Sequence, residues 1–302
     1  MSRSLLFVIN PRAGRTEGHG KMLDVLDTFI RAGYDVSVRV TQGPQDALHY
    51  VAEHGSRFDR VVACGGDGTV NEVLNGLMAC DPRPELGIMP TGTMNDYAYN
   101  LHIKKNLLES AAVAAGGERF PIDVGRFDDR YFTYVSAFGL FTDVTYETPQ
   151  TQKNLLGAAA YVLEGAKRLG SIRTFDVQVE HDNGVVAGSY IAGLFTNTVS
   201  IAGLRTALTG SRLDDGLLEM VLIKTPSTLN DIQSVINMLL DLQHLPEMPA
   251  DFVTFLRTKK ARVTFKEPVA WTVDGESGGV YQDVVIENVP TPITVLRGEG
   301  DE

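Results

Sequence analysis

Glycines set around one carboxylate constrain this chain more than any other feature. Residues 64–75 read CGGDGTVNEVLN, preceded by the apolar run DRVVA at 59–63 and followed by Val70, Val73, Leu74 and Leu77 at helical spacing. Gly65, Gly66, Asp67, Gly68 and Thr69 therefore form a turn between a strand's carboxyl end and a helix's amino end. In an open α/β sheet ligands sit at that edge. Glycine lets the backbone approach a ligand closely, and unpaired helix N–H groups favour a phosphate. Asp67 adds a second anion there, and two anions together call for a cation such as Mg²⁺. The plainer reading is a strand–helix turn with Asp67 as cap, but a cap needs one glycine, not three.

The first part of the chain repeats that texture. An apolar strand at 5–9 ends in Asn10-Pro11-Arg12-Ala13-Gly14-Arg15, which suits a second phosphate-facing loop or an ordinary turn. A P-loop is excluded, because Arg15 stands where its first glycine belongs and Met22 replaces the Ser/Thr. A helix at 22–30, a strand at 36–40 and Thr41-Gln42-Gly43-Pro44 opening a further helix come next. A strand at 86–89 runs into the loop PTGTMND, and Asp123 follows a strand at 120–122. Such alternation implies a doubly wound parallel sheet, an α/β domain over 1–125.

Beyond Gly125 the pattern changes to alternating segments at 131–136, 175–180, 185–196, 217–223, 252–256, 261–265, 269–273 and 280–287. These predict a mostly antiparallel domain over 126–292, interrupted by helices near 155–169 and 229–242. The sequence leaves open whether a last strand at 293–296 returns to the first domain.

A net charge of −11 argues against a nucleic-acid partner. Cys64 and Cys80 make no disulfide framework and suggest a reducing, cytoplasmic compartment, with Cys64 read as a small buried hydrophobe. The apolar part of the N-terminus is too short for a signal peptide, and no stretch of about twenty apolar residues exists to span a bilayer. The histidines show no zinc-ligand spacing, and no GxSxG motif appears.

What remains is carboxylates beside glycines. Taken singly, Asp67, Asp96 and Asp123 are turn or cap residues; gathered on one edge they suit a metal–phosphate site. Residues 211–217, SRLDDGL, read equally as a hairpin and as an oxygen-rich cation site. Residues 273–279, VDGESGG, suit a hairpin too, yet they leave Glu276 as an accessible carboxylate able to take a hydroxyl proton.

GGDGTVNEVLNGL, PTGTMNDYA, LDDGLL and VDGESGG occur in that order, and so arranged the chain resembles the bacterial diacylglycerol kinase-type lipid kinases, relatives of sphingosine and ceramide kinases. The resemblance runs from about Leu5 to Leu296. It implies a nucleotide domain plus a β-sandwich lipid domain with the active site in the cleft between them. Asn10, Thr41, Gly65, Gly66, Asp67, Gly68, Thr69, Val70, Asn71 and Thr93 would line the ATP site, with Arg15 near the phosphates. Asp67 and Asp96 would organise ATP–Mg²⁺, and Asp123 would join an acidic, water-linked network. The carbonyls of Arg212 and Leu217 and the side chain of Asp215 would hold a structural Mg²⁺. Glu276 would be the general base.

Tyr97 departs from a common Phe, and 136–139 (SAFG) replaces a more glycine-rich turn, which bears on lipid identity rather than on kinase chemistry. The expected reaction is phosphorylation of diacylglycerol at a membrane surface, by a peripheral protein at the inner face. The rivals are another acceptor (phosphatidylglycerol, a sphingoid base or a soluble molecule) and a non-catalytic nucleotide- or lipid-binding regulator. Lys104-Lys105 and the run 257–262 are candidate basic membrane contacts, the helix at 229–242 is docking surface or core, and a sandwich edge offers a homodimer contact.

Overall fold

The computed structural model describes residues 2–13, 20–93, 95–140, 142, 173–197, 200–201, 204–205, 212–240 and 252–299. The chain divides into two compact units, Met1–Val124 with Thr291–Glu302, and Gly125–Pro290.

In the first unit strands and helices alternate: β1 (Arg3–Ile9), α1 (Met22–Arg31), β2 (Tyr34–Val40), α2 (Asp46–His54), β3 (Arg60–Gly65), α3 (Asp67–Met78) and β4 (Glu85–Pro90). α4 (Asp96–Asn100), α5 (Leu107–Gly116) and β5 (Glu118–Phe127) follow. The strands pair in parallel in the order β2-β1-β3-β4. Leu5, Leu6, Phe7 and Val8 are all fully buried, as a strand covered on both faces requires. Leu5, Phe7, Val62, Cys64 and Met89 pack against Val25 and Phe29 of α1 and Ala111, Ala114 and Ala115 of α5. The alternate set, Leu6, Val8, Val61 and Ala63, points to the other face, where α2 packs on α3 and α3 on β3.

α5 was not among the expected elements. Asn106 caps it by accepting the N–H groups of Leu108 (3.0 Å) and Glu109 (3.2 Å), and its small alanines let it lie close on the sheet. β15 (Glu276–Arg297) ends in the first unit, where Val295 pairs in parallel with Leu86 of β4. Arg83 donates to Pro292 O (2.8 Å), and Arg297 makes a two-pronged bond to Glu118 (2.8 and 2.7 Å).

The second unit is antiparallel. It holds β6 (Arg130–Phe132), β7 (Val135–Gly139), β8 (Phe175–His181), β9 (Gly184–Thr196), a short ladder of β10 (Ser200–Ile201) and β11 (Leu204–Arg205), and β12 (Leu218–Lys224). After α6 (Leu229–Leu240) come β13 (Val253–Thr258) and β14 (Lys260–Val273), and the first part of β15 pairs with β14. β9 and β14 are both long, and each pairs with β7 through its second half and with β8 through its first. That double bridging closes the ladder on itself and makes an inner face. Inside it Trp271 is ringed by Phe127, Phe138, Phe195 and Phe265, with centroids 5.0–6.0 Å away.

Two expectations change in detail. The run 131–136 is not one strand, because the N–H groups of Thr133, Tyr134 and Val135 all go to the carboxylate of Asp274 instead of a ladder. The runs 261–265 and 269–273 are one strand, β14, whose register shifts between Thr264 and Val269 around Pro268. The expected helix at 155–169 lies outside the described residues, as do 241–242 of the expected helix at 229–242.

Candidate functional site

In the first unit the chain winds outward from β1 through α1 to β2, and the other way from β3 through α3 to β4. The carboxyl ends of β1 and β3 are thus the point where strand order reverses, the place for a ligand crevice. Four loops are stitched there by short bonds. Asn10 N–H donates to Cys64 O, Thr41 N–H to Ile9 O and Thr91 N–H to Gly65 O, each at 2.9 Å. The Asn10 side chain crosses from the first loop to the third, its Nδ2 donating to Thr69 Oγ1 at 2.9 Å.

The glycines do two jobs. A Cβ at Gly65 would meet the Thr69 side chain at 2.4 Å, and one at Gly92 would meet Gly66 Cα at 2.5 Å. The loops after β3 and β4 therefore touch backbone to backbone, which only glycine permits. Gly66 is also the N-cap of α3 and offers no side chain to it, so the first turn is open to an anion.

Asp67 starts that helix, and its carboxylate accepts the N–H of Asn95 (2.9 Å) and of Tyr97 (3.4 Å). Asn95 stands in the left-handed region, and its Nδ2 donates to Gly92 O (2.8 Å). Asn95 and Tyr97, after β4, are thus held to Asp67. Burial pushes the Asp67 carboxyl up from its ordinary range, and the backbone N–H groups pull it back only in part. Cys64, by contrast, is a buried thiol pushed up to about 12, in keeping with a small hydrophobe.

Asn10, Thr41, Gly65, Gly66, Asp67 and Thr69 thus lie in one bonded edge. Gly68 and Asn71 lie in the first turns of α3, where Val70 turns its side chain into the core. Thr93 is exposed on the β4 loop, and Asp96 opens α4 almost fully buried. Asp123 is also buried, and its Oδ1 accepts the N–H of Thr291 (2.7 Å), tying the outgoing strand to the returning one. Arg15 lies outside the described residues.

Sequence reasoning missed the part played by Glu72, inside the glycine signature. Its carboxylate accepts the N–H groups of Gln45 (2.8 Å) and Ala47 (3.2 Å) and caps α2 across the interhelix gap. The sequence carries no signal for it, since the left-handed Gln45 backbone, with no capping side chain of its own, arises only in the fold.

In the second unit the turn at Asp274 and Gly275 has positive φ at both residues, +48° and +79°. Glu276 follows it, exposed, opposite Val273. Asp274 is the second residue that was missed. Its carboxylate accepts Thr133 N (2.7 Å), Thr133 Oγ1 (2.8 Å), Tyr134 N (3.0 Å) and Val135 N (3.1 Å), while burial pushes its own titration upward. Those bonds fix the turn that carries Glu276.

The 212–217 loop is arranged differently from an open metal site. Asp215 accepts the N–H of Leu217 (3.0 Å) and pairs with Arg257, Leu217 O accepts from Asn288 Nδ2 (3.1 Å), and Arg212 forks onto Asp214 (2.9 and 3.1 Å). Of the expected basic membrane run, Arg257, Lys260 and Arg262 are in ion pairs with carboxylates of their own unit. Among the described residues no helix is long and apolar enough to cross a membrane, and no group of three or more His, Cys, Asp and Glu side chains converges as a metal site.

The sequence comparisons agree with this picture. The diacylglycerol kinase catalytic domain model matches residues 4–127, the span that carries the stitched edge. The chain is 34% identical to a diacylglycerol kinase of Bacillus subtilis (strain 168) over 275 residues, 90% of this chain and 89% of that protein. It is 30% identical to a diacylglycerol kinase of Staphylococcus epidermidis over 281 residues, 92% of this chain and 87% of that one. A crystal structure from Bacillus anthracis strain Sterne, described with diacylglycerol kinase as its candidate activity, superposes with a TM-score of 0.82 at 25% identity, covering 98% of this chain and 97% of its own. Another, of a diacylglycerol kinase from the same strain, is alike in fold, with a TM-score of 0.77 at 23% identity and the same coverage. The chain belongs to the diacylglycerol kinase family, and it is an enzyme of the lipid-kinase class.

Proposed function

We propose that the protein transfers the γ-phosphoryl group of ATP to the free hydroxyl of diacylglycerol, giving phosphatidic acid and ADP. The observation that carries the reading is Asp67, a carboxylate raised by burial at the start of an uncapped helix and gripped between two glycine loops. A charge of that kind is useful where a cation will meet it. Oxygen donors beside a phosphate-binding turn suit Mg²⁺, which usually binds one or two carboxylates together with substrate phosphates. When bound, Mg²⁺ neutralises charge that develops on the transferring group.

The chain's own residues take the other parts. The loops after β1, β2, β3 and β4, through Asn10, Thr41, residues 65–71 and Thr93, hold the nucleotide, and Arg15 serves the phosphates. Asp67 and Asp96 provide oxygens for the cation, and Asp123 supports them from the β5 connection. Glu276 accepts the acceptor hydroxyl's proton as the new P–O bond forms and the bridging bond to ADP breaks. Asp274 is a positioning residue, holding the turn beneath Glu276. The lipid is met at the inner membrane face without a spanning segment, with Lys104 and Lys105 as contacts.

The test is transfer of labelled γ-phosphate from ATP–Mg²⁺ to a panel of acceptors in mixed micelles: diacylglycerol, phosphatidylglycerol, ceramide, sphingosine and NAD. Labelled phosphatidic acid as the main product is expected. Label on another lipid replaces the acceptor, label on NAD overturns the lipid reading, and ATP binding with no label on any acceptor means a regulator.

A further inference from the structure

The resemblance leads one to expect a divalent ion on Asp215 and the carbonyls of Arg212 and Leu217, but Asp215 and the Leu217 carbonyl are already engaged. Asp215 Oδ1 accepts the N–H of Leu217 (3.0 Å), and Oδ2 pairs with Arg257 Nη2. The Leu217 carbonyl accepts from Asn288 Nδ2 (3.1 Å). Arg212 lays its own guanidinium along Asp214, so positive charge stands on both sides of the loop. An ion taking Asp215 and Leu217 as ligands would face that charge and compete for the same oxygens.

We propose that Arg257 is the resident cation of the 212–217 loop, so that in this chain the loop is closed by a guanidinium and needs no structural metal. The guanidinium does something a loop-bound ion would not. Its Nε donates to Glu219 Oε1 at 3.2 Å, and Glu219 is only 1% exposed, directly opposite Arg257 in the β12–β13 ladder. A buried carboxylate needs a positive partner whatever the metal supply. Arg257 serves it while its other arm reaches Asp215, so one planar fork ties the loop before β12 to β13 and neutralises part of two acidic groups. An ion bound to Asp215 and the loop's own carbonyls ties the loop only to itself.

The experiment compares thermal melting of the nucleotide-free full-length protein in EDTA and in Mg²⁺, for the wild type, Asp215→Asn and Arg257→Gln. The proposal expects the wild type to melt at the same temperature in both media, and Arg257→Gln to melt lower by about 5 °C or more. A Mg²⁺-dependent rise that persists in Asp215→Asn comes from another site and leaves the proposal standing. A Mg²⁺-dependent rise in the wild type that disappears in Asp215→Asn overturns it, and so does an Arg257→Gln protein that melts like the wild type. Should Arg257→Gln fail to fold, the comparison of wild type with Asp215→Asn still decides the point.

Discussion

At Asp67 burial and charge pull in opposite directions, and the cost is visible in its titration. A carboxyl whose folded pKa is raised favours the native state only below its unfolded value, and that contribution is lost as pH rises through the folded one. In the nucleotide-free protein at neutral pH, Asp67→Asn is therefore expected to melt at or above the wild type, with the difference shrinking below about pH 4. The same variant is expected to lose phosphotransfer by about a hundredfold or more. Melting curves across pH beside activity check both; a strongly destabilised Asp67→Asn protein contradicts the account. Gly92 offers a steric counterpart. Ala there places a Cβ 2.5 Å from Gly66 Cα, forces the two loops apart, and is expected to cost about 1–3 kcal/mol while raising the KM for ATP. Denaturant unfolding and nucleotide titration read the two effects separately.

Among the elements, the parallel strands were legible because their apolar runs are continuous and each ends in a turn of distinctive chemistry, as Leu5, Leu6, Phe7 and Val8 do before Asn10. The glycine turn was legible for the same reason. α5 was not, because an alanine-rich helix leaves little periodic pattern. The break at Thr133 and Tyr134 was hidden too, since its cause, Asp274, lies about 140 residues further on. Glu72 lies inside the glycine motif that carries the family resemblance, but its carboxylate serves the neighbouring helix; only the fold brings residues 45 and 72 together. Glu72→Ala is accordingly expected to cost about 0.5–2 kcal/mol through the lost cap. That loss should appear in unfolding and leave kcat nearly unchanged. Asp274→Ala strands four buried donors and is expected to cost more, on the order of 2–4 kcal/mol, with faster amide exchange at Thr133, Tyr134 and Val135 as its signature.

For the whole molecule, sequence pattern was enough for a winding α/β unit followed by an antiparallel one, because period and connection length decide both. It did not decide where the chain's end goes, which rests on the pairing of Val295 with Leu86. Nor did it reveal that Asp215 and the Leu217 carbonyl are engaged by Arg257 and Asn288, partners some 40 and 70 residues away. The central claim is that a glycine-edged phosphate site and the carboxylate of Glu276 together make a lipid kinase. The measurement that tests it most directly is phosphate transfer to diacylglycerol by a correctly folded Glu276→Ala protein, with ATP binding measured on the same sample. The account predicts unchanged ATP binding and transfer reduced by about a hundred- to ten-thousand-fold. Full transfer by that variant would contradict it.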